Sequence, residues 1–441
     1  MRIQRTRWLP IALALGLLLT VARPALAQPP ILIEGATVHT VSAGVLSPGW
    51  VLIGPDGHIA RVSASPIEPP AGAERIDGRG SVLTPGLVAV QSALGMVDIW
   101  AVRESNAAAV DNISINAAFR AADAFNPRSV ALAVSRAEGL TSALIVPSSG
   151  VVPGQSAWID LAGPAGTWGA IVGGPVSLHI AAGDAGGQGA GGSRGALMLQ
   201  LRRLFDDVRF LQNNPRAFDE NRSRALAAAR IDLLAIGEFL DGKRPVVFVA
   251  DRASDIEAVL TFAAEQKLRP IIAGGVEAWM IKERLAALKV PVIVNPLANL
   301  PGTFSQLGAR EDNAAILTAA GVPVLLSTFD THNARTLRQF AGNAVRAGMD
   351  HDAALRAVPL APAEAFGQAA RSGSIEVGKV AHLVLWSGDP FELETRVKQV
   401  WIGGASVSLD NRQTALRRRT MTLQRRDPPA LPPIPEDGDD K

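Results

Sequence analysis

The chain has 441 residues, 48% of them hydrophobic and 19% charged, with no Cys, no Tyr, six His and a net charge of +2. That length exceeds a usual single domain, and the apolar share excludes a wholly disordered chain. Without Cys there can be no disulfides, thiolate metal sites or cysteine nucleophiles, so any metal chemistry must come from six His and the carboxylates. A charge this close to zero gives no footprint for nucleic acid, which is not expected as a partner.

In chain order, Arg2, Arg5 and Arg7 precede an acid-free apolar run at 8–22, and Ala25-Leu26-Ala27 supplies the small residues that a signal peptidase accepts. Residues 1–27 therefore read as a cleavable secretory signal, which predicts a periplasmic or secreted protein without a membrane span after cleavage. Cleavage removes four arginines, Arg23 included, and no acid, so the net charge passes from +2 to −2. Residues 28–83 carry short β-rich runs at 31–33, 37–41, 50–53 and 59–62, with Asp56-Gly57 as a hairpin signal.

From 84 to 371 the pattern changes to alternating units. Strand-like runs at 142–146, 176–180, 246–249, 270–273, 290–294 and 322–326 alternate with helical patterns at 127–138, 196–213, 222–240, 253–266, 276–288 and 309–320. A helix after almost every strand predicts a parallel sheet, and this many units predict an α/β fold of the (β/α)8 TIM-barrel type. Residues 372–410 return to short strands, at 383–386 and 397–402, and are expected to complete the N-terminal segment as a composite β-sandwich built from both chain ends. Residues 411–441 form a basic stretch with Arg417-Arg418-Arg419, expected as a solvated helix face, and then a Pro-rich acidic tail of disordered composition. The glycine-dense stretch 183–195 contains a G-x-G-x-x-G in Gly187, Gly189 and Gly192. It is embedded in a run of small residues, and the nearby acids Asp206 and Asp207 fall inside a predicted helix. The stretch is therefore read as a flexible lid, not a dinucleotide site.

Four segments resemble the amidohydrolase superfamily, in particular its imidazolonepropionase-like branch. They are Ser81-Val82-Leu83-Thr84-Pro85-Gly86-Leu87-Val88, Glu138-Gly139-Leu140-Thr141-Ser142-Ala143 with Gly154-Gln155-Ser156-Ala157, Asp330-Thr331-His332-Asn333-Ala334-Arg335, and Gly373-Ser374-Ile375-Glu376-Val377-Gly378-Lys379 running into Leu383-Val384-Leu385-Trp386. The resemblance implies a barrel with a composite sheet domain, and hydrolysis of carbon–nitrogen bonds in non-peptide, cyclic amides by a water activated on a divalent metal such as zinc. It also places the family's metal ligands at Gln91, Ala93, His179, Val249, Gly274 and Asp330. An amide is a poor ligand, and a methyl, an isopropyl and a hydrogen are none, so the metal is expected to be lost and no cofactor is expected.

Asp330 remains as a candidate general base at a strand end, the face where barrel sites gather, with a local turn as its plainer role. Gln91, His179, Asp251, Arg252, His332 and Arg335 are candidates to bind substrate from the same rim, although Arg252, Asp251 and Arg335 could instead pair with one another. His39, His58, His351 and His382 fall away from the rim and are expected to be structural or exposed; His382 stands where the family signature has Asp. Two functions follow. One is an exported amidohydrolase acting on a small-molecule amide or cyclic amide. The other is a non-catalytic amidohydrolase-like binding protein, as a homo-oligomer or paired with an intact relative, and fold alone does not choose between them.

Overall fold

The computed structural model describes residues 28–111, 114–163, 168–216, 220, 222 and 224–424. Residues 1–27, expected as a secretory signal, and the tail from 425 onward lie outside the described residues. Chain order begins with β1 (Ile31–His39), β2 (Val45–Ile53), β3 (Ile59–Ser63), β4 (Glu74–Asp77) and β5 (Val82–Pro85). β1 joins two runs that the sequence separates. Gly35 takes the left-handed region at φ 72, and the β1–β2 register shifts between Ile33 and Ala36, so the strand bulges and continues.

The α/β part follows. It comprises β6 (Leu87–Ser92), α1 (Val130–Arg136), β7 (Leu140–Ile145), β8 (Gly154–Gln155), β9 (Ala157–Asp160), β10 (Ala170–Gly173), β11 (Leu178–Ala181), α2 (Asp184–Gly189), α3 (Arg194–Asn213) and α4 (Arg230–Gly237). It continues through β12 (Pro245–Ala250), α5 (Ala253–Gln266), β13 (Arg269–Gly274), α6 (Lys282–Ala287), β14 (Val292–Val294), α7 (Asn313–Ala319), β15 (Val324–Leu326), α8 (Leu337–Arg346), α9 (His351–Ala357) and α10 (Leu360–Ala365). The chain closes with β16 (Leu383–Trp386), β17 (Val397–Ile402), β18 (Ala405–Ser406) and α11 (Arg412–Gln424).

The two chain ends make one sheet in the order β18-β17-β16-β5-β1-β2-β3, with β4 added to β1. The seam is β5 against β16, antiparallel from Val82 opposite Trp386 to Pro85 opposite Leu383. Its core holds Ile33, Val38, Val51, Leu83, Leu383 and Trp401. The sheet branches at β1, which pairs β2 along one edge and β4 and then β5 along the other.

Two further sheets curl around a common apolar interior. One is β10-β9-β7-β6 and the other β15-β14-β13-β12-β11-β8. Their edges meet on both sides: Ser327 Oγ donates to the Val90 carbonyl (2.6 Å) and Ala93 N to Thr331 Oγ1 (3.0 Å), while Ser156 N donates to the Ser177 carbonyl (2.9 Å). Val88, Val90, Leu144, Val247, Ile293 and Leu325 fill the enclosed space. The pairing is not wholly parallel, because β8 and β9 run antiparallel to β11 and β7.

The helical jacket follows from sequence period. In α5 the buried residues include Ile256, Val259, Leu260 and Ala263, one face at spacings of three and four, and the helix ends where Lys267 turns left-handed at φ 57. α6 and α7 are shorter than their predicted spans. In the glycine-dense stretch residues 184–189 form α2, and 190–193 turn into α3. A Cβ on Gly186 would stand 1.9 Å from the Ala181 carbonyl oxygen, so the small residues there let α2 pack directly against the end of β11.

The end sheet is locked to the curled sheets by a buried ionic cluster. Arg371 donates to Asp160 Oδ2 (2.5 Å), Ser142 Oγ to Asp160 Oδ1 (2.8 Å), and His382 Nε2 lies 3.3 Å from Asp160 Oδ1. The Gly403 N–H donates to His382 Nδ1 (3.0 Å), so Nδ1 is the acceptor and Nε2 carries the hydrogen facing Asp160. Burial alone would raise the Asp160 pKa, but His382 and Arg371 together hold it well below the usual carboxylate range. His382, expected to be structural or exposed, is thus buried with a structural partner.

Candidate active site

The strand ends that lead into α2, α5 and α6 gather an acidic rim. Asp251 follows β12 directly, its Oδ2 accepting from Gln306 Nε2 at 2.8 Å. Its carboxyl is pushed above the ordinary range chiefly by burial, with Asp184 and Glu277 adding like charge against the bonds from Gln306 and Val276. Glu277 accepts from the backbone N–H groups of Ala253 and Gly308, both at 3.0 Å. Beside it, Arg194 donates to Asp255 Oδ1 (2.7 Å), Asp184 Oδ1 (2.5 Å) and Ser305 Oγ (2.7 Å), and Ser305 donates on to Asp184 Oδ2 (2.6 Å).

These bonds anchor the connection between β14 and α7 over the rim. That connection presents Leu300, Leu307 and Phe304, the last 87% exposed; Ile99 and Trp100 are exposed on the connection after β6.

Arg252 lies at the start of α5 next to Asp251, exposed, and among the described residues its side chain has no partner. Val249 belongs to the inward row of β12 above Val247, and it is 41% exposed. An inward residue with that much exposure marks an opening above it.

Each expected ligand position can be tested against a metal. Gln91 is buried, and its φ of 54 is a left-handed value that a side chain adopts at a cost. Ala93 is a buried methyl and Val249 an isopropyl. A Cβ on Gly274 would stand 2.3 Å from Asp251 Oδ1, and φ there is 96, so the Asp251 carboxyl occupies the room a ligand side chain would need. His179 is buried with Nε2 3.0 Å from Ser177 Oγ, and Ser177 is in turn paired with Ser156 at 2.6 Å. Burial lowers the His179 pKa to about 3, leaving a neutral imidazole.

Asp330 is engaged by its own turn. Its Oδ1 accepts from His332 N (2.7 Å) and Asn333 N (3.0 Å), and Oδ2 from Asn333 Nδ2 (3.0 Å). This donor set does not fit the family's metal pair. Among the described residues no three His, Asp or Glu side chains group as a metal site.

Of the candidates named from sequence, Asp251 and Arg252 share one strand end with Gly274 and Val249. His332 and Arg335 face elsewhere, toward a cavity beneath α11. Asp251 pairs with Gln306, not with either arginine. Asp184, Arg194, Asp255, Glu277 and Gln306 were not among the candidates. Three of them could have been found, since Asp184 follows the predicted strand 176–180 by four residues, Asp255 lies in the first turn after 246–249, and Glu277 comes four residues after 270–273.

Curled α/β sheets around an apolar interior, with charged groups collected at strand ends, are consistent with the structures that the chain resembles. Residues 324–408 match the Amidohydrolase family. An amidohydrolase structure from Thermotoga maritima superposes with a TM-score of 0.76 at 28% identity, over 86% of this chain and 99% of that one. A molinate hydrolase superposes at 0.54 and a prolidase bound to N-methylphosphonate-L-proline at 0.52, both 17% identical over 86% of this chain, with 95% and 99% of theirs covered; these speak to fold. The amidohydrolase tasK of Hapsidospora irregularis is 33% identical over 84 residues, 19% of this chain and only 9% of that protein. The chain is thus similar to amidohydrolases, in sequence over residues 324–408 and in fold over most of its length. Among the described residues no helix is long and apolar enough to cross a membrane.

Proposed function

We propose that this is an exported hydrolase of carbon–nitrogen bonds in small, non-peptide cyclic amides, of the imidazolonepropionase-like branch, working at the mouth of an eight-strand barrel without the family's histidine-held metal. The observation that carries the reading is Asp251. A carboxyl at a strand end with its pKa raised by burial can hold a proton and give it to a leaving nitrogen, or take one from water. Arg252, adjacent to it and without a partner among the described residues, supplies the positive charge that a developing oxyanion needs. In this reading Asp330 orients the turn that carries His332, and Gln91, held in a strained conformation near the opposite strand end, contacts substrate.

The eight barrel strands would be β6, β7, β8 with β9, and β11 to β15, capped by a composite domain assembled from 28–83 and 372–410. The curling of both sheets and their mutual hydrogen bonds support that count.

A second reading rests on Val249: an apolar, exposed side chain where the resemblance places a ligand suits a barrel that binds a small amide or pairs with an intact relative. The two are separated by elemental analysis and a hydrolysis assay on the purified mature protein with imidazolone and hydantoin-type substrates. Metal-free turnover that falls at least a hundredfold in Asp251→Asn, with Arg252→Gln also impaired, supports the first. A thermal shift by the same compounds without turnover supports the second. Near-stoichiometric zinc whose removal abolishes activity would overturn the metal-free site in either form.

A further inference from the structure

Away from the Asp251 cluster, a cavity of about 310 Å³ opens between α1, the turn after β15 and α11. Its polar lining is Asp98, His332, Arg335, Arg412 and Gln413; its apolar lining is Val130, Ala131, Val134 and Leu416. It shares no residue with the acidic rim.

Two features mark it as a binding site. First, Arg335 and Arg412 come from elements far apart in sequence and line one space, and neither side chain has a hydrogen-bond or ion-pair partner among the described residues. On the same helix Arg418 is paired with Asp410, outside the cavity. The one acid in the lining, Asp98, already accepts from Ser129 Oγ (2.5 Å), and its backbone carbonyl takes the hydrogen of His332 Nε2 (2.8 Å). A carbonyl only accepts, so His332 is held in a fixed tautomer with Nδ1 as its second group. Two arginines against one carboxylate leave the cavity with a surplus positive charge.

Second, the remainder of the lining is apolar. Val130 and Leu416 are 46% and 49% exposed, so the space beside the arginines can shield a hydrocarbon body.

We infer that this cavity binds a small amphipathic organic anion, a monocarboxylate with a short hydrocarbon tail, its carboxylate between Arg335 and Arg412 and its tail along Val130, Val134 and Leu416. A guanidinium binds a planar carboxylate with two parallel N–H bonds, which a single ammonium cannot reproduce. The site includes the first turn of α11, so a bound anion would also fix that helix against α1.

The test is titration calorimetry on the full mature chain with sodium hexanoate, hexanol and inorganic phosphate as probes. Hexanoate is expected to bind saturably, with its affinity reduced at least tenfold in Arg412→Gln and in Arg335→Gln and reduced several-fold in Leu416→Ser. Hexanol and phosphate should each bind at least tenfold more weakly, because each offers half of the recognition. Arg412 and Leu416 are exposed, so these variants leave the fold intact, and circular dichroism checks that they do. Absence of hexanoate binding, or binding unchanged in both arginine variants, overturns the proposal. Phosphate binding as tightly as hexanoate overturns the amphipathic class. Because Asp251→Asn leaves this cavity untouched, hexanoate should bind that variant normally whatever becomes of the hydrolytic reading.

Discussion

The junction between the two-ended sheet and the curled sheets, and the rim of the enclosure, use histidine and carboxylate in opposite ways. At the junction Asp160, Arg371, His382 and Ser142 form a closed set in which each charge meets a counter-charge or a hydrogen bond. At the rim Asp251, Glu277 and Asp184 bond to the connection after β14 and Asp255 to Arg194, while Gln91, Ala93, Val249 and Gly274 bring no charge to their strand ends. The comparison shows ionic order used at the junction to join two parts of the fold and at the rim to hold a connection in place.

The largest break in that contrast should come at the junction. Asp160→Ala leaves Arg371 and His382 without their acid in a buried place, which costs about 3–5 kcal/mol and should appear as a large drop in the urea midpoint. Its acid limb follows from the sign of the shift. The folded pKa is depressed, so the stabilisation is complete above the ordinary carboxylate range and is lost as pH falls through it toward the folded value.

Gly274→Ala comes next. It forces a Cβ against Asp251 Oδ1 and strains a φ of 96, a cost of about 1–3 kcal/mol measurable by thermal melting, and it should displace Asp251 and lower any turnover in step. An unchanged melting temperature would show that the carboxyl moves freely and is not fixed by its surroundings.

His179→Leu should cost about 1–2 kcal/mol through the lost bond to Ser177. It also removes a pH limb. The folded imidazole titrates near 3 and the unfolded one near 6.5, so the wild-type chain loses stability as pH falls below about 6.5 and the variant does not share that loss. Coincident pH profiles for the two proteins would count against the buried neutral imidazole.

The smallest effect on stability is at Asp251. Its raised pKa means that the ionised form is the disfavoured one in the fold, so Asp251→Asn should melt no lower than wild type at pH 7 while any turnover falls. A wild-type rate carried by the protonated carboxyl should decline as pH rises through the raised pKa, and the variant's residual rate should be flat.

Much of the fold was legible because it rests on local periodicity. The helical stretch 253–266 coincides with α5, and the strand runs at 246–249 and 270–273 lie inside β12 and β13. What escaped has physical reasons. β8 and β9 are two and four residues long, too short for apolar alternation to reveal their direction. The glycines at 186–189 look like a loop by composition but form helix because close packing against β11 requires small residues. At the site, Asp251 was legible as a charge at a strand end. Its environment was not, because Asp184, Gln306 and Glu277 reach it from connections spread over more than a hundred residues of chain.

The sheet made from both ends also constrains the order of events during synthesis. β5 has its β16 partner three hundred residues downstream, so Leu83 and the strand's outer hydrogen-bonding edge stay bare until almost the whole chain has emerged. An unpaired apolar edge is a template for mispairing with other chains. A truncation that ends before Leu383 should therefore aggregate rather than fold as a smaller stable unit, which makes the C-terminal strands an end-of-synthesis checkpoint for the molecule.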